Sequence, residues 1–390
     1  MLFYHNIDRF LRHREGLKIL TYVTLMILCS SLHIQEAKAQ SKFTTLQILP
    51  SHDNPRNSEG DFITRKDGSI LFIYTRFTGQ SASDFAGSDL VSRISHDRGK
   101  TWSSEDRMVV KNEGEMNTMS VSLLRLASGK IALFYLRKNS LGDCRPHLRI
   151  SSDEGESWSE PVVCINDQVG YYVLNNNRVI QLASGRLLMP VALHTSNFNP
   201  NATLHELEKS FNSYGKIYCY FSDDEGKTWT RSERVSIPDS IIAQEPGVVE
   251  LVDGSVLMYI RTNAGTQYFS KSTHRGERWT PANPSSLVSP LSPASIVRLP
   301  NSLHLLAVWN HNTQTDPALR GRRTPLTLAV SPDNGTTWKG MMDIETDPKG
   351  SYCYTGIHFT SDHILLNYFD WHTRGVYVVR IPFQEIHNYD

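Results

Sequence analysis

The chain has 390 residues and carries 40 lysines and arginines against 40 aspartates and glutamates. A net charge of zero provides no overall field toward nucleic acid or an anionic membrane, so partners of those two classes are not expected. The four cysteines beyond residue 40 lack the paired spacing of a zinc site, and no metal or organic cofactor is predicted. Buried thiols are the default interpretation; a disulfide between Cys144 and Cys164 would require an oxidising compartment.

The first 39 residues have the pattern of a signal peptide. A basic segment precedes an apolar run over residues 19–32, and Ala37-Lys-Ala39 follows as a small-x-small cleavage site. We therefore expect export to the periplasm or the medium, with no membrane insertion after cleavage. The alternative is a lipoprotein modified at Cys29, although Leu28 stands where a lipobox has a small residue. No linker or composition break divides residues 40–390, which are predicted to form one domain.

Five copies of one short pattern recur along the rest of the chain. They begin at Ser95, Ser151, Ser222, Ser272 and Ser331, which lie 56, 71, 50 and 59 residues apart, and they contain five of the seven tryptophans. Each copy reads Ser-x-Asp-x-Gly-x-Thr-Trp or close to it, except that a histidine replaces the aspartate in the fourth. A unit recurring at this period is typical of repeat folds, and its Asp and Gly favour a tight turn.

This pattern resembles the Asp box of the sialidase superfamily, whose members are β-propellers. Between the boxes, Asp-Gly or Ser-Gly turns at Gly68, Gly129, Gly185 and Gly254 precede β-forming segments, and each is a hairpin signal. The resemblance and the turn count predict an all-β, six-bladed β-propeller with Asp-box repeats, closed by pairing of residues 43–48 with the C-terminal strands. A carboxylate repeated in every blade cannot be the acid of a single active site. The boxes are therefore expected to be structural turns, with their tryptophans away from the channel mouth.

Two segments resemble those that hold the nucleophile system of sialidases. In the segment from Glu245 to Arg261, the resemblance makes Glu245 the residue that assists the nucleophile and Arg261 a carboxylate-binding arginine. Glu250 lies inside the strand and is expected to be a structural or exposed partner. Tyr354, followed by a threonine, matches the nucleophilic tyrosine, and Tyr352 is the competing choice. A phenol with a pKa of about 10 is a poor nucleophile alone, so Glu245 is expected within hydrogen-bond reach to remove its proton.

The resemblance also implies an acid and a second arginine. Asp84, in a loop nine residues before Arg93, matches the general acid/base, and Asp89 is the nearby alternative. Desolvation of this loop carboxylate on substrate binding is expected to raise its pKa toward the working pH. Arg323 fits an Arg-x-x-Leu strand that supplies a carboxylate-binding arginine, with Arg322 as neighbour or substitute, since a guanidinium binds a carboxylate bidentately.

The sequence departs from the family where sialidases place the first of three substrate-binding arginines. The spacing puts Glu59 at that position, with Arg56 three residues earlier. If Arg56 does not reach inward, the arginine clamp keeps two members and Glu59 introduces the opposite charge. Asp370 is a distant candidate for the acid that braces the first arginine. The predicted substrate-binding set is completed by Arg76.

We therefore predict an exported glycoside hydrolase resembling exo-α-sialidases, which releases a terminal acidic sugar from glycans with retention of configuration. Its catalytic residues are predicted to be Asp84, Glu245 and Tyr354, and its partner a glycan or acidic-sugar substrate. The departure at Glu59 leaves two alternatives open. One is a propeller glycosidase or lyase for a uronic or neutral sugar, and the other is a non-catalytic carbohydrate-binding propeller.

Overall fold

A computed structural model of the protein describes residues 41–195, 203, 206, 209–313 and 315–386. The predicted signal peptide lies outside the described residues. The described part of the chain is built from 25 strands, with a short 3₁₀ turn at Phe383–Glu385. None of its helical segments is long and apolar enough to cross a membrane. The all-β prediction is confirmed, and the blade count stays a prediction.

The described strands form five hydrogen-bonded sheets, four of four strands and one of nine. The nine-stranded sheet is described in two parts, B and C, so the labels run from sheet A to sheet F. An N-terminal strand, β1 (Thr44–Ile48), belongs to the last of them. Sheet A contains β2 (Asn57–Thr64), β3 (Ile70–Phe77), β4 (Ser88–Ser95) and β5 (Arg107–Val110). Sheet B contains β6 (Asn117–Arg125), β7 (Ile131–Ser140), β8 (Asp143–Ser151) and β9 (Val162–Val163). Sheet C contains β10 (Tyr171–Val173), β11 (Ile180–Gln181), β12 (Leu187–His194), β13 (Lys216–Ser222) and β14 (Thr230–Arg231).

The remaining three sheets follow in chain order. Sheet D contains β15 (Ala243–Glu250), β16 (Val256–Thr262), β17 (Thr266–Ser272) and β18 (Asn283–Val288). Sheet E contains β19 (Ser295–Arg298), β20 (Leu305–Trp309), β21 (Leu326–Ser331) and β22 (Lys339–Glu345). Sheet F contains β23 (Tyr352–Phe359), β24 (His363–Asp370) and β25 (Gly375–Pro382), with β1 at its edge.

Two connections between distant strands complete this arrangement. Sheets B and C are joined into one nine-stranded sheet by a parallel bridge between Cys144 and Tyr171. The strand β1 pairs antiparallel with β25, so that Ile48 lies opposite Val376. The predicted pairing of the N-terminal strand with the C-terminal strands is thereby confirmed.

The predicted turns and boxes lie between consecutive strands. The turns at Gly68, Gly129, Gly185 and Gly254 connect β2 to β3, β6 to β7, β11 to β12 and β15 to β16. In the first box, the two oxygens of Asp97 accept from the backbone N–H and the hydroxyl of Thr101, at 2.8 and 2.6 Å. This bonding holds the chain between the third and fourth strands of the sheet, which confirms the structural interpretation of the boxes.

Each box also seats its sheet against the sheet before it. The glycine of the third box, Gly226, has a φ of +86°, and a Cβ there would lie 2.5 Å from a methyl group of Leu148 in sheet B. Gly99 of the first box approaches Leu365 in sheet F in the same way, with a corresponding distance of 2.7 Å. Only glycine satisfies both the backbone conformation and the close approach.

The hydrophobic core is a series of interfaces between neighbouring sheets. Phe72 of sheet A packs with Leu365 of sheet F, and Leu257 of sheet D packs with the fully buried Trp309 of sheet E. Corresponding clusters join A to B, B to C, C to D and E to F. Burial of each large side chain contributes roughly 1.5–3 kcal/mol, so stability is spread over all the interfaces. All four cysteines beyond residue 40 are buried free thiols, and Cys144 is not bonded to Cys164.

The first strand of four sheets contains a bulge with a left-handed residue. Glu59 in β2, Ser120 in β6, Glu245 in β15 and Tyr354 in β23 have φ values of 50°, 61°, 43° and 57°. The strand register shifts at each of these points. A bulge re-aims a side chain, and left-handed non-glycine residues cluster at functional sites. These four side chains accordingly line one cavity.

A polar segment between β10 and β11 connects the inner strands. The amide nitrogen of Asn176 donates to the carbonyls of Gly60 in sheet A and Tyr354 in sheet F, at 2.8 and 3.1 Å. The fully buried Arg178 donates to the carbonyl of Ala294, just before sheet E, at 2.7 Å. One short segment therefore fixes the relative positions of strands from three other parts of the chain.

Candidate active site

A cavity of about 1010 Å³ lies where the bulged strands meet. Its volume is at the upper end of the range common for small-molecule sites, about 300–1,000 Å³. Six of the eight predicted site residues line it: Glu59, Asp84, Glu245, Arg261, Arg323 and Tyr354. Arg56 lies behind its wall, and Arg76 lies outside it. Residues as far apart in the chain as Glu59 and Tyr354 are thus brought together.

The bulges decide which side chains face this cavity. Tyr354, at the left-handed position, lines the cavity, whereas Tyr352 is buried in the core between sheets E and F. The ring of Tyr352 packs edge-on against Tyr368, with 5.8 Å between the ring centroids. Of the two candidate tyrosines, only Tyr354 is therefore placed to touch a ligand.

Glu245 and Arg261 form a buried ion pair on the cavity wall. Nη1 of Arg261 lies 2.5 Å from Oε2 of Glu245, and the side chains are 10% and 11% exposed. Arg261 comes from β16, where it pairs with Gln244 in the ladder. Its Nε is buried and has no hydrogen-bond partner among the described atoms.

Arg323 reaches the same cavity from the loop before β21. Its Nη1 donates to Sγ of Cys353 at 3.2 Å, and it forms no ion pair with any described carboxylate. A guanidinium held at a cavity wall without a carboxylate partner is suited to bind an anion. The neighbouring Arg322 is exposed and directs its Nη1 to the carbonyl of Pro348, at 3.4 Å.

Tyr354 is held in its neutral form. Burial, followed by the negative charge of Glu245, raises the pKa of the Tyr354 phenol well above its ordinary value. Attack by this oxygen would therefore need a base. In the described structure the Glu245 carboxylate is hydrogen-bonded to Arg261, and no hydrogen bond joins it to the Tyr354 hydroxyl. The expected base is adjacent, but it is engaged by an arginine.

Asp84 lies in the loop between β3 and β4, with its carboxylate hydrogen-bonded to Nη1 of Arg56. The Arg56 guanidinium is fully buried, with Cζ 4.4 Å from the ring centroids of both Phe77 and Trp371. Burial acts to raise the pKa of Asp84, but the positive charges of Arg56 and Lys138 outweigh it, and the pKa is lowered overall. The raised pKa expected of a general acid is not found in this state.

Glu59 faces the same guanidinium from the other side. Its Oε1 lies 3.8 Å from Nη2 of Arg56, and its Oε2 accepts from the Ser120 hydroxyl at 2.8 Å. Burial, with a further contribution from Asp84, raises the pKa of Glu59 to about 7, although Arg56 opposes the shift. Arg56 does reach inward, but it reaches two cavity carboxylates and not the cavity surface.

The prediction that Arg76 binds substrate is wrong. Arg76 does not line the cavity. Its Nε lies 3.7 Å from Oδ2 of Asp106, whose other oxygen pairs with Arg93 at 2.6 Å. The alternation of side chains along β3 directs Arg76 to this ion-pair cluster between strands, because its neighbour in the chain, Phe77, packs beneath Arg56.

The remaining carboxylate alternatives lie elsewhere. Asp89 accepts from the backbone N–H of Asn112 at 2.8 Å, and Glu250 accepts from that of Ala183 at 2.9 Å. Asp370 accepts from the backbone N–H of Ser351 and from groups of the turn after β24. None of the three carboxylates lines the cavity. Their contacts are those of structural residues.

Sequence reasoning missed two cations and an aromatic wall. Lys138 is 2% exposed and donates from Nζ to the backbone carbonyl of Asp84 at 2.6 Å. Arg374 lines the cavity from the exposed turn between β24 and β25. Tyr171 and Phe211 form an aromatic wall, with ring centroids 5.2 Å apart. The sequence did offer one signal for these residues, the charge of Lys138 at the end of the apolar run of β7. Tyr171 begins the short strand β10, and Phe211 and Arg374 reach the cavity from segments outside the strands.

These groups define what the cavity can do. It combines a buried phenol, a carboxylate beside it, a loop carboxylate and three arginines on its wall, Arg261, Arg323 and Arg374. This set provides a nucleophile, acid–base groups and an anion-binding wall. Within the described residues, no group of three or more His, Cys, Asp or Glu side chains is arranged to hold a metal ion.

Repeated antiparallel sheets around one polar cavity define the class of protein. The model of the BNR repeat-like domain family matches residues 90–365. The chain belongs to this family, within the sialidase/BNR superfamily, as the boxes indicated.

Individual relatives agree with this assignment. A sialidase from Paraclostridium sordellii is 26% identical over 307 residues, which cover 70% of this chain and 71% of that protein. An anhydrosialidase from Macrobdella decora is 27% identical over 228 residues, which cover 54% of this chain but only 25% of the leech protein. Among solved structures, the Hadza microbial sialidase Hz136 shares the fold with a TM-score of 0.69 at 17% identity, covering 86% of this chain and 67% of that chain.

Proposed function

We propose that this protein is a glycosidase that releases a terminal acidic sugar of the sialic acid type from glycans. One observation carries the proposal: a single cavity is lined by residues from separate segments of the sequence, namely Asp84, Glu245, Tyr354, Arg261 and Arg323. The names of its relatives support a sialic acid-releasing activity. A non-catalytic binding propeller has no need for a buried phenol beside a carboxylate.

The arginines bind the sugar carboxylate in the proposed mechanism. Arg323 is already without a carboxylate partner, and Arg261 exchanges Glu245 for the ligand when the sugar binds. This exchange frees Glu245 to accept the phenolic proton of Tyr354. A neutral phenol is the suitable nucleophile here, because a carboxylate nucleophile would be repelled by the anionic substrate.

The reaction then follows a double displacement. Asp84 donates its proton to the glycosidic oxygen, and the Tyr354 oxygen attacks the anomeric carbon as Glu245 takes the phenolic proton. The bond to the leaving alcohol breaks. In the second half, Asp84 takes a proton from water, the water oxygen displaces Tyr354 from the anomeric carbon, and Glu245 returns the proton to the phenol.

The number of blades and the export of the protein are part of the same proposal. We infer six blades, sheets A to F, since a hydrophobic cluster joins each sheet to the next and sheet F to sheet A. The bridge between Cys144 and Tyr171 joins two blades into the nine-stranded sheet. Residues 1–39 act as the signal peptide of an exported protein, which is supported by their sequence pattern.

A glycoside panel tests the activity. The purified protein is assayed against aryl glycosides of sialic acid, of uronic acids and of neutral sugars, and the released sugar is identified by mass and by NMR. Turnover confined to the sialoside is expected, with initial retention at the anomeric carbon. Because one relative is named an anhydrosialidase, the product analysis also distinguishes the free sugar from its anhydro form. Absence of turnover on every sialoside would contradict the proposal.

A uronic acid is the second candidate substrate, and Glu59 is the observation that favours it. The carboxylate of Glu59 occupies the cavity where the family resemblance implies an arginine. A carboxyl group there accepts a hydrogen bond from a sugar hydroxyl, as the ring of a uronic acid offers, and does not join the arginines in binding the carboxylate. Preferential turnover of a uronoside in the same panel would select this candidate.

A further inference from the structure

Glu59, Arg56 and Asp84 form one group, and the mechanism above uses only Asp84 from it. The Arg56 guanidinium is fully buried, and its two terminal nitrogens face different carboxylates. Nη1 is bonded to Asp84, while Nη2 lies 3.8 Å from Glu59 and donates to the Ser58 hydroxyl at 3.2 Å. One cation is therefore shared by two acids that line one cavity.

The Arg56 guanidinium is fixed between the two acids and cannot move toward one of them. Phe77 and Trp371 lie against it, each with a ring centroid 4.4 Å from Cζ, and Phe369 lies at 4.8 Å. Nη1 also donates to the backbone carbonyl of Ala82 at 3.3 Å. The aromatic rings hold the cation in place, so a change in charge at one carboxylate is felt at the other.

The two acids differ in their access to solvent. The Asp84 side chain is 46% exposed, whereas the Glu59 side chain is 5% exposed. The negative charge of one carboxylate disfavours ionisation of the other, and burial disfavours it further, so the more buried Glu59 is the first to hold a proton. Arg56 is hydrogen-bonded to Asp84 but lies 3.8 Å from Glu59, an arrangement that favours the negative charge on Asp84.

Other charged and titratable groups surround the pair. Lys138 of β7 donates to the Asp84 carbonyl and reduces the negative charge felt at both acids. Arg323 acts on Asp84 from the loop before β21. The neutral side chains that face the group are Tyr354 of β23, Tyr171 of β10 and Cys144 of β8. None of these supplies a second cation in direct contact with Glu59.

We propose that Glu59 and Asp84 share one proton through their common contact with Arg56, so that Glu59 acts as the positioning residue that supplies the acid form of Asp84. In one state Glu59 is protonated and Asp84 is the anion bound to Arg56. In the other, the proton has left Glu59 for Asp84, and Arg56 balances the Glu59 carboxylate instead. Atoms and charge balance, because one proton is exchanged and the cation stays in place.

The acid role of Asp84 in this inference rests on the proposed function, but the shared proton does not. The first measurement therefore needs no turnover. Isotope-edited infrared spectroscopy of the folded protein, with ¹³C-labelled glutamate, follows the carbonyl stretch of protonated carboxyls as the pH is raised through the neutral range. The wild type is expected to lose one glutamic acid signal in this range, and Glu59→Gln is expected to lack that transition.

The Asp84→Asn variant distinguishes a proton shared by the two acids from independent titration of each acid. With the competing anion gone, Arg56 serves Glu59 alone, and the Glu59 transition is expected to move down by about one pH unit or more. Ser120→Ala is the matched control, because it removes a neutral hydrogen bond from Glu59 and leaves the charges unchanged. It is expected to keep the transition at or above the wild-type position. A Glu59 transition that does not move in Asp84→Asn would overturn the inference.

The pH profile of kcat/KM on the best glycoside gives the second measurement. Glu59→Gln is expected to move the basic limb to lower pH, because an unshared Asp84 beside Arg56 loses its proton earlier. Ser120→Ala is expected to keep that limb. If the basic limb of the kcat/KM profile does not move in Glu59→Gln, the positioning role of Glu59 is overturned. If the infrared result holds while every glycoside fails, the proposed function is at fault and the shared proton stands.

Discussion

Glu59 and Glu245 occupy equivalent backbone positions in two different sheets. Each is the leading residue of a bulge in the first strand of its sheet, with φ values of 50° and 43°, and each carboxylate faces an arginine. Glu245 pairs at 2.5 Å with Arg261, which itself lines the cavity, whereas Glu59 lies 3.8 Å from an arginine behind the wall. The same bulge therefore places one carboxylate beside an arginine of the cavity wall and the other near a buried arginine behind it.

The nucleophile assignment predicts a large effect from removing one oxygen. Tyr354→Phe is expected to keep the fold and to lower turnover by at least the roughly 10²–10⁴-fold that acid–base assistance is worth. Glu245→Gln should be similarly damaging, and the double variant little worse, since the two act as a unit. Steady-state kinetics with an aryl glycoside measure the loss of turnover. Tyr352→Phe, which changes a buried tyrosine outside the cavity, is the control. Near-normal turnover of Tyr354→Phe would remove the tyrosine mechanism.

Arg323 is predicted to determine the preference for an acidic sugar. Arg323→Lys keeps a positive charge but loses the planar fork, and a charge-assisted hydrogen bond is worth roughly 1.5–3 kcal/mol. We expect kcat/KM on an acidic glycoside to fall about 10- to 100-fold, with little change on a neutral analogue.

Arg322→Lys provides the control for this comparison, because Arg322 is exposed and points away from the cavity. It should leave both substrates unaffected. An equal loss on acidic and neutral substrates in Arg323→Lys would show that Arg323 holds the local fold and not the ligand.

The packing of the boxes predicts a stability difference between two glycines. Gly226→Ala and Gly185→Ala introduce the same methyl group at φ values of +86° and +89°. Both variants carry the backbone cost of roughly 1–2 kcal/mol, but only Gly226→Ala also places its Cβ 2.5 Å from Leu148. Urea unfolding should show a loss larger by about 1–3 kcal/mol for Gly226→Ala. Equal losses would mean that the box does not seat sheet C against sheet B.

The buried Glu59 carboxyl predicts a pH-dependent stability. Its pKa is raised to about 7 in the fold, so the folded state binds a proton more tightly than the unfolded chain does. Its contribution is complete below the unfolded pKa of about 4.3 and is lost as the pH rises through about 7. Thermal melts should therefore show a steeper loss of stability across this window in the wild type than in Glu59→Gln.

Glu250→Gln makes the same charge change at a carboxylate outside the cavity. It should reproduce the wild-type pH dependence. Parallel curves for the wild type and Glu59→Gln would show that Glu59 is not protonated in the folded protein near neutral pH.

The sequence predicted the repeats well because the box chemistry is local. The contacts of Asp97 and Thr101 lie within four residues, so spacing alone identified the turn. The cavity residues Glu245 and Tyr354 were found only through the family resemblance. Their left-handed bulges have no reliable sequence signature, apart from a glycine two residues later in each case.

The charges around Arg56 could not be predicted for a physical reason. Whether an arginine faces a cavity or lies behind it depends on the strand register and on aromatic packing from distant segments, here Phe77 and Trp371. Arg76 was misplaced for the same reason, since its partner Asp106 follows β4 in the chain. A pKa shift such as that of Glu59 is a property of the assembled sheets.

The pairing of β1 with β25 has a consequence for how the chain folds. Gln47 donates to the Tyr377 hydroxyl at 3.1 Å across a separation of 330 residues, so sheet F remains incomplete until β25 has been synthesised. Contacts of such sequence separation are slow to form, and an unpaired β25 exposes a strand edge that is prone to aggregation. The edge of β25 is therefore open during synthesis until β1 pairs with it, and removal of residues 44–48 leaves that edge open permanently.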